Sequence, residues 1–306
     1  MKKVTLLDTT LRDGDTREIR FSVADKIAIA TELADAGVDV VEIGTSSDPW
    51  AARDLGEVVR AVRTCTLAVL APASADAIDV AGQALREAEA ARIHVFQRVT
   101  SDPEEIARIE LFVRRARERA DEVEYSPGNA ACAPLDAVAS NVRAAIRGGA
   151  RVINVSDTAG RALPEEVAHR LRELRRLVPE LTDVELSFHG HDDLGLATAN
   201  ALAALRAGAS QVETAVNGLG ARAGNTALEE IVGALHIHGG ALGMTTRVDV
   251  SRLAALSRLV EARSGVAVGA QKAIVGKDAR FSARRSGVNI AAEVIEGAEE
   301  ARGGSG

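Results

Sequence analysis

The stretch ELSFHGHDDLGLATANALAALRAGASQVETA, residues 185–215, holds one full unit of the pattern that decides the fold. A short apolar run at 185–189 precedes an Ala- and Leu-rich segment at 194–207, whose apolar residues recur at helical spacing. Ala-Gly-Ala follows at 207–209, where glycine suits the left-handed residue that ends a helix. A second strand-like run occupies 211–215. The stretch therefore predicts a strand, a helix and another strand in succession.

The same unit recurs along the chain to about residue 240. Strand-like runs are predicted at Val4–Asp8, Val38–Ile43, Leu67–Ala71, Ile93–Gln97, Glu122–Tyr125, Val152–Val155, Glu185–His189 and Gln211–Ala215. Helical patterns lie between them, among them Ser22–Ala36, Glu104–Arg119, Pro164–Val178, Leu194–Ala207 and Thr226–His238. This alternation indicates an α/β fold with a parallel sheet. Eight units of this size match a closed (β/α)8 TIM barrel. An open doubly wound sheet is the alternative, but no G-x-G-x-x-G follows the first strand.

The rest of the chain is too short to form a second domain with a large core. We assign residues 1–244 to the barrel and 245–302 to a short, mainly helical C-terminal subdomain that contains a helix at Val250–Ser264. The subdomain is expected to pack on the barrel or on a partner subunit. The last residues, 303–306, read GGSG and are predicted to be a disordered tail.

The composition is that of an ordinary globular protein: 46% of the 306 residues are apolar, 26% are charged, and the net charge is −7. This charge argues against a nucleic-acid partner, since no segment concentrates Lys and Arg into a binding face. Cys65 and Cys132 lie far apart, so neither a disulfide framework nor a cysteine zinc site is indicated. No apolar run is long enough to cross a bilayer, and VTLLDT at 4–9 starts a strand where a signal peptide would lie. We therefore expect a cytoplasmic protein with no membrane partner.

Polar residues cluster where the predicted strands end. In a (β/α)8 barrel the active site forms at the carboxyl ends of the strands. The clusters are Asp8–Gly14, Glu42–Ser47, Gln97–Ser101, Tyr125–Asn129, Asp157–Gly160, His189–Asp193 and Asn217–Asn225. Because a purely structural protein has little reason to gather polar residues there, the pattern favours an enzyme.

Two histidines one residue apart end the seventh predicted strand. Because a strand repeats every two residues, the side chains of His189 and His191 leave it on the same side. Two neutral imidazoles and a carboxylate form a metal site with open positions for water and substrate. Asp13 is the best candidate carboxylate, since strands one and seven are two apart around the ring. The set suits Zn, Mn, Mg, Co or Fe(II). The alternative is that one histidine packs in the barrel mouth and the other lies on the surface.

Further residues near the proposed metal indicate how a substrate is held. Arg12 supplies a fixed cation that, with the metal, can polarise a carbonyl; alternatively, it forms only a structural ion pair. Thr158 in SDTAG can hydrogen-bond a substrate carboxylate or simply cap the next helix. The glycine-rich loop 218–225 follows the eighth strand, where barrels often bind phosphate.

Several segments together resemble one known family. They are LLDTTLRDGD (6–15), GVDVVEIG (37–44), VINVSDTAGRALPEE (152–166), FHGHDDLGLATANALAALRAGA (188–209) and ETAVNGLGARAGNTALEEIV (213–232). In order over residues 1–240, they resemble the metal-dependent Claisen-condensing TIM-barrel enzymes of the DRE-TIM metallolyase superfamily. This group includes isopropylmalate, homocitrate and citramalate synthases. KAIVGKDARFSARRSGVN (272–289) is similar to the short subdomain that follows the barrel in those synthases.

The resemblance implies a transferase reaction. Acetyl-CoA is deprotonated, its enolate attacks the ketone of a 2-oxo acid, and thioester hydrolysis leaves a 2-hydroxy di- or tricarboxylic acid. The implied cofactor is a divalent metal ion (Mn, Mg, Zn or Co), with acetyl-CoA as co-substrate. The implied assembly is a homodimer.

The resemblance also implies roles for individual residues. The metal ligands would be Asp13, His189 and His191, with Asn225 nearby in the substrate site as a possible further ligand. Arg12 would polarise the ketone and Thr158 would hold the carboxylate of the 2-oxo acid. In addition, Glu124 matches a glutamate near the acyl-CoA methyl group, and His94 matches a histidine that lines the pocket.

The chain departs from the family pattern at several positions. The usual DGEQ is DGDT, which places Thr16 where the family has glutamine. The F-S-P-E-D motif reads YSPGN, so Gly128 and Asn129 replace an acidic pair. The H-E-S-G-I-H pattern of the subdomain reads RRSGVN, with Arg284 and Asn289 in place of the histidines. These changes argue against an unmodified isopropylmalate or homocitrate synthase, and they leave the metal ligands intact.

The substrate is therefore expected to differ from that of the named synthases. Arg98 is predicted to end the fourth strand and point into the barrel mouth. Together with Arg284 it is a candidate to bind an anionic substituent, such as a carboxylate or phosphonate, of a different 2-oxo acid. The alternative for Arg98 is a salt bridge on the rim.

Two other kinds of function remain open. One is a metal-dependent C–C lyase or aldolase on the same barrel, although the lyase related to this family needs a cysteine in the loop after strand eight and residues 218–225 contain none. The other is a non-catalytic subunit, suggested by the replaced subdomain histidines. Retention of Arg12, Asp13, His189 and His191 argues against that alternative.

Overall fold

The computed structural model describes residues 1–16, 18–47, 51–281, 290, 291 and 294. Eight parallel strands close a barrel in chain order, which confirms the predicted TIM barrel. They are β1 (Thr5–Asp8), β2 (Val40–Thr45), β3 (Thr66–Pro72), β4 (Ala91–Arg98), β5 (Glu122–Gly128), β6 (Val152–Asp157), β7 (Glu185–Gly190) and β8 (Gln211–Thr214). Each coincides with a predicted strand, with small shifts at the ends. Pairing of β1 with β8 aligns Asp8 with Thr214 and closes the ring.

A helix follows each strand. These helices are α1 (Val23–Asp35), α2 (Ala51–Ala61), α3 (Ala75–Leu85), α4 (Pro103–Arg117), α5 (Leu135–Gly148), α6 (Pro164–Leu177), α7 (Ala197–Arg206) and α8 (Leu228–Leu242). Local sequence fixes their ends. The Ser22 hydroxyl accepts the Asp25 N–H and the Asp25 carboxylate accepts the Ser22 N–H, a capping box that starts α1. Gly149 ends α5 with φ of 101°, in the left-handed region.

Helix α7 begins later than predicted. The sequence predicts its start at Leu194, whereas the structure starts it at Ala197. Gly195 turns the chain with φ of 70°, and Asp192 Oδ1 accepts the Ala197 N–H at 2.9 Å. Asp192 therefore caps the helix from a turn that precedes it, which strand–helix spacing does not reveal.

The barrel has an apolar shell and a polar interior. Side chains such as Ile29, Leu33, Val41 and Ile153 are fully buried in the apolar core cluster. The alternate positions of the strands carry buried polar side chains instead, among them Glu42, Arg92, His94, Glu124, Ser126, Asn154, Ser187, Gln211 and Glu213. Because a buried charge needs a partner, these residues are hydrogen-bonded to one another across the barrel. The interior thus supports polar chemistry at the strand ends.

The chain after α8 returns to the barrel. Met244–Thr245 pairs in parallel with Lys2–Lys3, a short sheet that the sequence reading missed. Helix α9 (Leu253–Ser264) corresponds to the predicted helix at Val250–Ser264 and contacts α1 and the turn after β8. A short helix α10 (Lys277–Phe281) follows. Arg284, Asn289 and the expected tail at 303–306 lie outside the described residues, and the division into a barrel (1–244) and a subdomain (245–302) stays a prediction.

Within the described part of the chain, no helix is both long enough and apolar enough to cross a membrane.

Candidate metal centre and active site

The three predicted metal ligands meet at the carboxyl ends of the strands. Asp13 lies in the turn after β1, His189 in β7 and His191 just beyond it. One ligand atom from each lies within 4.8 Å of the other two. His189 Nε2 is 3.6 Å from Asp13 Oδ2, and the two imidazoles meet edge to face. The alternative of one packed and one surface histidine is wrong, because both are buried.

Unpartnered acceptors at this cluster fit a cation. His191 Nδ1 and Asn225 Oδ1 are buried, and neither has a hydrogen-bond partner among the described residues. The Asn225 Nδ2 donates to Asp13 Oδ2 at 2.9 Å and to Thr9 Oγ1 at 3.1 Å, so its oxygen is the free end of the amide. Buried acceptors are normally satisfied. Two nitrogen and two oxygen donors suit a divalent transition metal.

Backbone geometry in the loop after β8 places Asn225. Gly220 packs against the Asn225 side chain, and a Cβ at position 220 would come within 2.6 Å of Asn225 Oδ1. Gly224 has φ of 96°, and a Cβ on it would approach the Gly218 carbonyl oxygen. Glycine is therefore required at these positions, because it lets the loop pack closely around the Asn225 amide. The sequence had suggested instead that this loop binds phosphate.

A buried carboxylate orients one ligand from behind. His189 Nδ1 is 2.8 Å from Glu213 Oε2, which leaves Nε2 directed to the side of Asp13. Burial alone would raise the pKa of Glu213, but His189, His94 and Arg12 together outweigh burial and lower that pKa to about 2. Such a carboxylate fixes the ring and raises its basicity toward a metal.

The protonation of the ligands is set by their surroundings. Burial, followed by the proximity of His189, lowers the pKa of His191 to about 4, so its imidazole is neutral at pH 7. Burial opposes ionisation of Asp13, yet Arg12 and the two histidines hold its pKa well below the usual value. Burial would lower the pKa of His189, but Glu213 and then Asp13 raise it.

Arg12 is held by three carboxylates beside the metal ligands. Its guanidinium pairs with Asp13 and with the fully buried Glu42, and Nη2 lies 3.5 Å from Glu213 Oε2. Burial would lower the pKa of Arg12, but Asp13 and then Glu42 raise it, so the group is always charged. Charge-assisted hydrogen bonds of this kind give a cation a fixed direction.

His94 is buried between a carboxylate and a hydroxyl. Its Nδ1 is 2.8 Å from Glu42 Oε1 and its Nε2 is 2.7 Å from Ser126 Oγ. Burial would lower the pKa of His94, but Glu124 and then Glu42 overcome it and raise the pKa to about 9. The side chain is therefore an imidazolium at pH 7 and has no free nitrogen that accepts a proton.

A cavity of about 180 Å³ opens above these groups. Its lining includes most of the predicted site residues together with others that the sequence reading did not single out. The lining residues are Arg12, Asp13, Leu70, His94, Phe96, Ser126, Asn154, Ser156, Thr158, His189, His191 and Glu213. Thr158 accepts the Asn129 N–H at 3.0 Å and donates to Ser156 Oγ over a long 3.3 Å. A substrate carboxylate can compete for that weakly used proton.

Three predicted site residues do not line the cavity, and one of them, Asn225, lies beside Asp13. Glu124 does not line the cavity; it is buried deeper in the barrel, where it accepts Arg92 Nη1 at 2.9 Å and Gln211 Nε2 at 2.8 Å. Arg98 ends β4 as predicted, on the same face of the strand as Phe96; its side chain is exposed and is not among the residues that line the cavity, so its direction into the mouth and its contact with a substrate stay predictions.

An exposed arginine ties together three loops over the site. Arg222 makes two hydrogen bonds to the Asp193 carboxylate, at 2.8 and 2.7 Å, and a third to the Thr158 carbonyl oxygen at 2.8 Å. The Asp193 carboxylate is thus committed to this bridge.

Glu42, Glu213, Ser126 and Asn154 were not assigned roles from the sequence. Each occupies an alternate strand position facing the interior, in VVEIG, QVET, EYSPG and VINVS respectively. A polar residue at an inward-facing position of a strand is the signal that marks them, because an inward-facing polar group must find a partner.

Fold and site together define a TIM barrel that brings two histidines and one carboxylate together, as a candidate metal centre, at the carboxyl ends of its strands. The HMGL-like family model matches residues 3–260, and the chain belongs to that family.

Curated relatives carry the name 2-isopropylmalate synthase. The protein from Pyrococcus abyssi is 41% identical over 304 residues, which cover 94% of this chain and 62% of that protein. The protein from Pyrococcus furiosus is 40% identical, over 94% of this chain and 60% of its own length. The relative from Rhodopirellula baltica is 39% identical, with 94% and 56% covered. The chain thus spans about three fifths of the length of these relatives.

Solved structures confirm the fold. An HMG-CoA lyase from Brucella melitensis superposes with a TM-score of 0.72 at 24% identity, covering 87% of this chain and all of that one. The hydroxymethylglutaryl-CoA lyase from Pseudomonas aeruginosa gives 0.73 at 24% identity, with 89% and 96% covered. At this level of identity the likeness concerns the barrel alone.

Proposed function

We propose that this protein condenses an acyl donor, acetyl-CoA, with a 2-oxo acid to form a 2-hydroxy di- or tricarboxylic acid. The observation that carries the proposal is that one cavity is lined by Arg12, by the candidate metal ligands and by Thr158, whose hydroxyl can bind the carboxylate of a 2-oxo acid. The name shared by relatives at about 40% identity supports the same reaction class. A homodimer and a cytoplasmic location are part of this proposal.

The metal site has a defined part in it. Asp13, His189 and His191 would hold the divalent ion, with the Asn225 amide oxygen as a further ligand. When bound, the ion supplies Lewis acidity toward the ketone and carboxylate oxygens of a 2-oxo acid. We infer that Mn, Mg, Zn and Co are the candidate ions.

The chain's own residues then orient and activate the substrate. Arg12, fixed by Asp13 and Glu42, presents positive charge where the ketone oxygen becomes an alkoxide during C–C bond formation. Thr158 turns its hydroxyl from Ser156 to the carboxylate of the 2-oxo acid. Leu70 and Phe96 form the apolar part of the lining and face the substituent of the acid.

The size of the cavity limits that substituent. At about 180 Å³, the space admits a small 2-oxo acid. Phe96 packs directly against Gly128. A Cβ added to Gly128 would come within 2.7 Å of the Phe96 ring, so there is no room for a substrate group between them. Since Arg98 lies outside the lining, we propose a short, uncharged substituent for the part of the cavity described here. An anionic substituent held by Arg98 and Arg284 is the second possibility.

The experiment is a substrate screen. Protein loaded with Mn²⁺, Mg²⁺ or Zn²⁺ is mixed with acetyl-CoA and each member of a panel of 2-oxo acids, and free CoA is followed with a thiol reagent. We expect thiol release that depends on both the metal and one class of 2-oxo acid. Failure of every acid to release CoA from metal-loaded protein would contradict the proposed reaction.

A further inference from the structure

The loop after β8 is held from outside the barrel by helix α9. Asn217 lies at the start of this loop and Ser257 lies in α9, and the two residues share a pair of hydrogen bonds. The Asn217 Nδ2 donates to the Ser257 carbonyl oxygen at 3.1 Å, and the Ser257 hydroxyl donates to Asn217 Oδ1 at 2.6 Å. Ser257 is buried. Both ends of the Asn217 amide are therefore bound to one buried residue of the C-terminal helix.

The backbone of Asn217 is fixed as well. Its φ of 60° and ψ of 10° lie in the left-handed region, which asparagine tolerates better than most residues. Its N–H donates to Oε2 of the buried Glu229 at 3.0 Å. Lys272, in the chain after α9, lies 3.6 Å from Oε1 of the same carboxyl group. The C-terminal segment thus supports Asn217 from a second side.

One carbonyl group connects Asn217 to the candidate metal site. The next residue, Gly218, accepts the Asn225 N–H on its carbonyl oxygen at 2.9 Å. The Asn225 side chain then donates to Asp13 Oδ2 at 2.9 Å, and its Oδ1 stays buried without a partner among the described residues. A shift of Asn217 therefore moves the Gly218 carbonyl group, and the Asn225 amide moves with it.

We propose that Asn217 is a positioning residue for the metal: held by Ser257, it sets the place of the Asn225 amide oxygen as a ligand. This inference rests on the proposed function, in which Asn225 is a further ligand of the divalent ion. Groups that orient a ligand without touching the ion change the affinity for the metal. Helix α9 is then part of the metal site, although none of its residues lines the cavity.

The competing explanation is that the Asn217–Ser257 pair only fastens α9 to the barrel. The helix is also fastened elsewhere, since Arg263 Nη1 donates to Asp25 Oδ1 at 3.0 Å. That bond joins α9 to α1, which carries no candidate ligand. The Asn217 pair instead joins α9 to the loop that ends at Asn225, so the two explanations differ in what they predict for metal affinity.

The test measures the Kd of Mn²⁺ by calorimetry on the metal-free protein, for the wild type and for Asn217→Gly. Glycine adopts the left-handed backbone without strain, so this change removes only the side-chain hydrogen bonds. We expect Mn²⁺ to bind about tenfold more weakly, the lower end of the effect for groups that orient a ligand. Ser257→Ala removes one of the two hydrogen bonds, and its Kd should lie between those of the wild type and Asn217→Gly.

Asn141 provides the matched control. It is a buried asparagine of α5 whose amide holds the chain after β4: Nδ2 donates to the Thr100 carbonyl oxygen at 2.7 Å, and Oδ1 accepts the Thr100 N–H at 3.1 Å. Asn141→Ala and Asn217→Gly both lose hydrogen bonds of this kind, so both should lower the Tm. Only Asn217→Gly should weaken Mn²⁺ binding, and Asn141→Ala should stay within about twofold of the wild-type Kd.

A double-mutant cycle shows whether Asn217 acts through Asn225. Asn225→Ala keeps Asp13, His189 and His191, so Mn²⁺ binding stays measurable. If Asn217 positions only the Asn225 oxygen, adding Asn217→Gly to Asn225→Ala should change the Mn²⁺ Kd by less than about twofold. Independent roles would multiply the two losses instead.

The outcomes separate this inference from the proposed function. Unchanged Mn²⁺ affinity in folded Asn217→Gly would overturn the role of Asn217, as would an equal loss in Asn141→Ala or a full further loss in the Asn225→Ala background. None of these results affects CoA release by the wild type, so the condensation would stand. Conversely, a wild type that binds Mn²⁺ but releases no CoA contradicts the condensation and leaves the role of Asn217 intact. If the wild type binds no Mn²⁺, the metal site is wrong, and the role of Asn217 falls with it.

Discussion

Two clusters inside this barrel each bring three potential metal-ligating atoms within 4.8 Å of one another. One is the mouth cluster, formed by Asp13, His189 and His191. The other is the deep cluster, formed by His94, Glu124 and Glu213. Both contain histidine and carboxylate, and both are largely buried.

The difference lies in how their donors and acceptors are used. In the deep cluster, His94 has a partner on each nitrogen and Glu124 accepts hydrogen bonds on both oxygens, whereas Glu213 Oε1 has no partner among the described residues. In the mouth cluster, the unpartnered acceptors are a nitrogen of His191 and an oxygen of the adjacent Asn225. Residue type and proximity therefore do not define a cation site. The unpartnered imidazole nitrogen favours the mouth cluster, since binding a metal in the deep cluster must first break the hydrogen bonds of His94 and Glu124.

The largest effect is expected for His191→Ala. Removing a ligand should abolish measurable Mn²⁺ binding, because changes that only touch the surroundings of a ligand already cost about 10- to 100-fold in affinity. Calorimetry with the metal-free protein checks this, with His94→Gln as the matched control from the deep cluster. Equal losses of Mn²⁺ affinity in His191→Ala and His94→Gln would contradict the difference between the two clusters.

Arg12→Ala should separate binding from turnover. The variant keeps every ligand, so Mn²⁺ affinity should change little, whereas the rate of CoA release should fall by about 10²- to 10³-fold, as when a charge-stabilising donor is removed. Steady-state assays in saturating Mn²⁺ measure it. Normal turnover in this variant would exclude the carbonyl-polarising role.

Two conservative changes sharpen the comparison further. Glu213→Gln weakens the orientation of His189 and should reduce Mn²⁺ affinity about 10- to 100-fold. Glu124→Gln should leave that affinity unchanged and lower the free energy of unfolding by about 1–3 kcal/mol, since Arg92 loses a charged acceptor. Metal titration and denaturant unfolding of both variants test the split. A loss of Mn²⁺ affinity in Glu124→Gln would mean that the deep cluster also supports metal binding, contrary to this expectation.

The smallest effect concerns Asp8, a buried carboxyl at the end of β1 that belongs to neither cluster. Burial raises its pKa from 3.8 to about 7. The unfolded chain releases this proton first, so the stabilisation from the neutral carboxyl is complete below about pH 4 and is lost as the pH rises to about 7. Asp8→Asn cannot ionise. Its Tm relative to the wild type should therefore rise by about 5 °C between pH 5 and pH 8.

Thermal unfolding of both proteins at each pH gives that difference, because other titrating groups cancel in the pair. A Tm difference that stays constant or falls over this range would contradict the assignment.

Much of the mouth cluster was predictable because it depends on local rules. The two-residue repeat of a strand places His189 and His191 on one side, and the order of strands brings Asp13 near them. The deep cluster was not predictable in the same way. Glu124 resembled a substrate contact, yet its partner Gln211 is 87 residues away and their meeting depends on the barrel's register.

The predicted start of α7 was wrong for a related reason. It depends on where the chain turns after β7, which Gly195 and the Asp192 side chain decide. Hydrophobic periodicity predicts whether a segment is a strand or a helix, but it does not predict at which residue that segment begins or ends.

The sequence by itself determined the (β/α)8 architecture, since alternating strands and helices of this length bury their apolar faces in one way. It also singled out His189 and His191 as candidate metal ligands, because their type and spacing are local. Only the tertiary structure decided which polar groups are already satisfied. Hydrogen bonds across the barrel join residues far apart in the chain, and among the described residues they leave His191 Nδ1 and Asn225 Oδ1 buried without a partner.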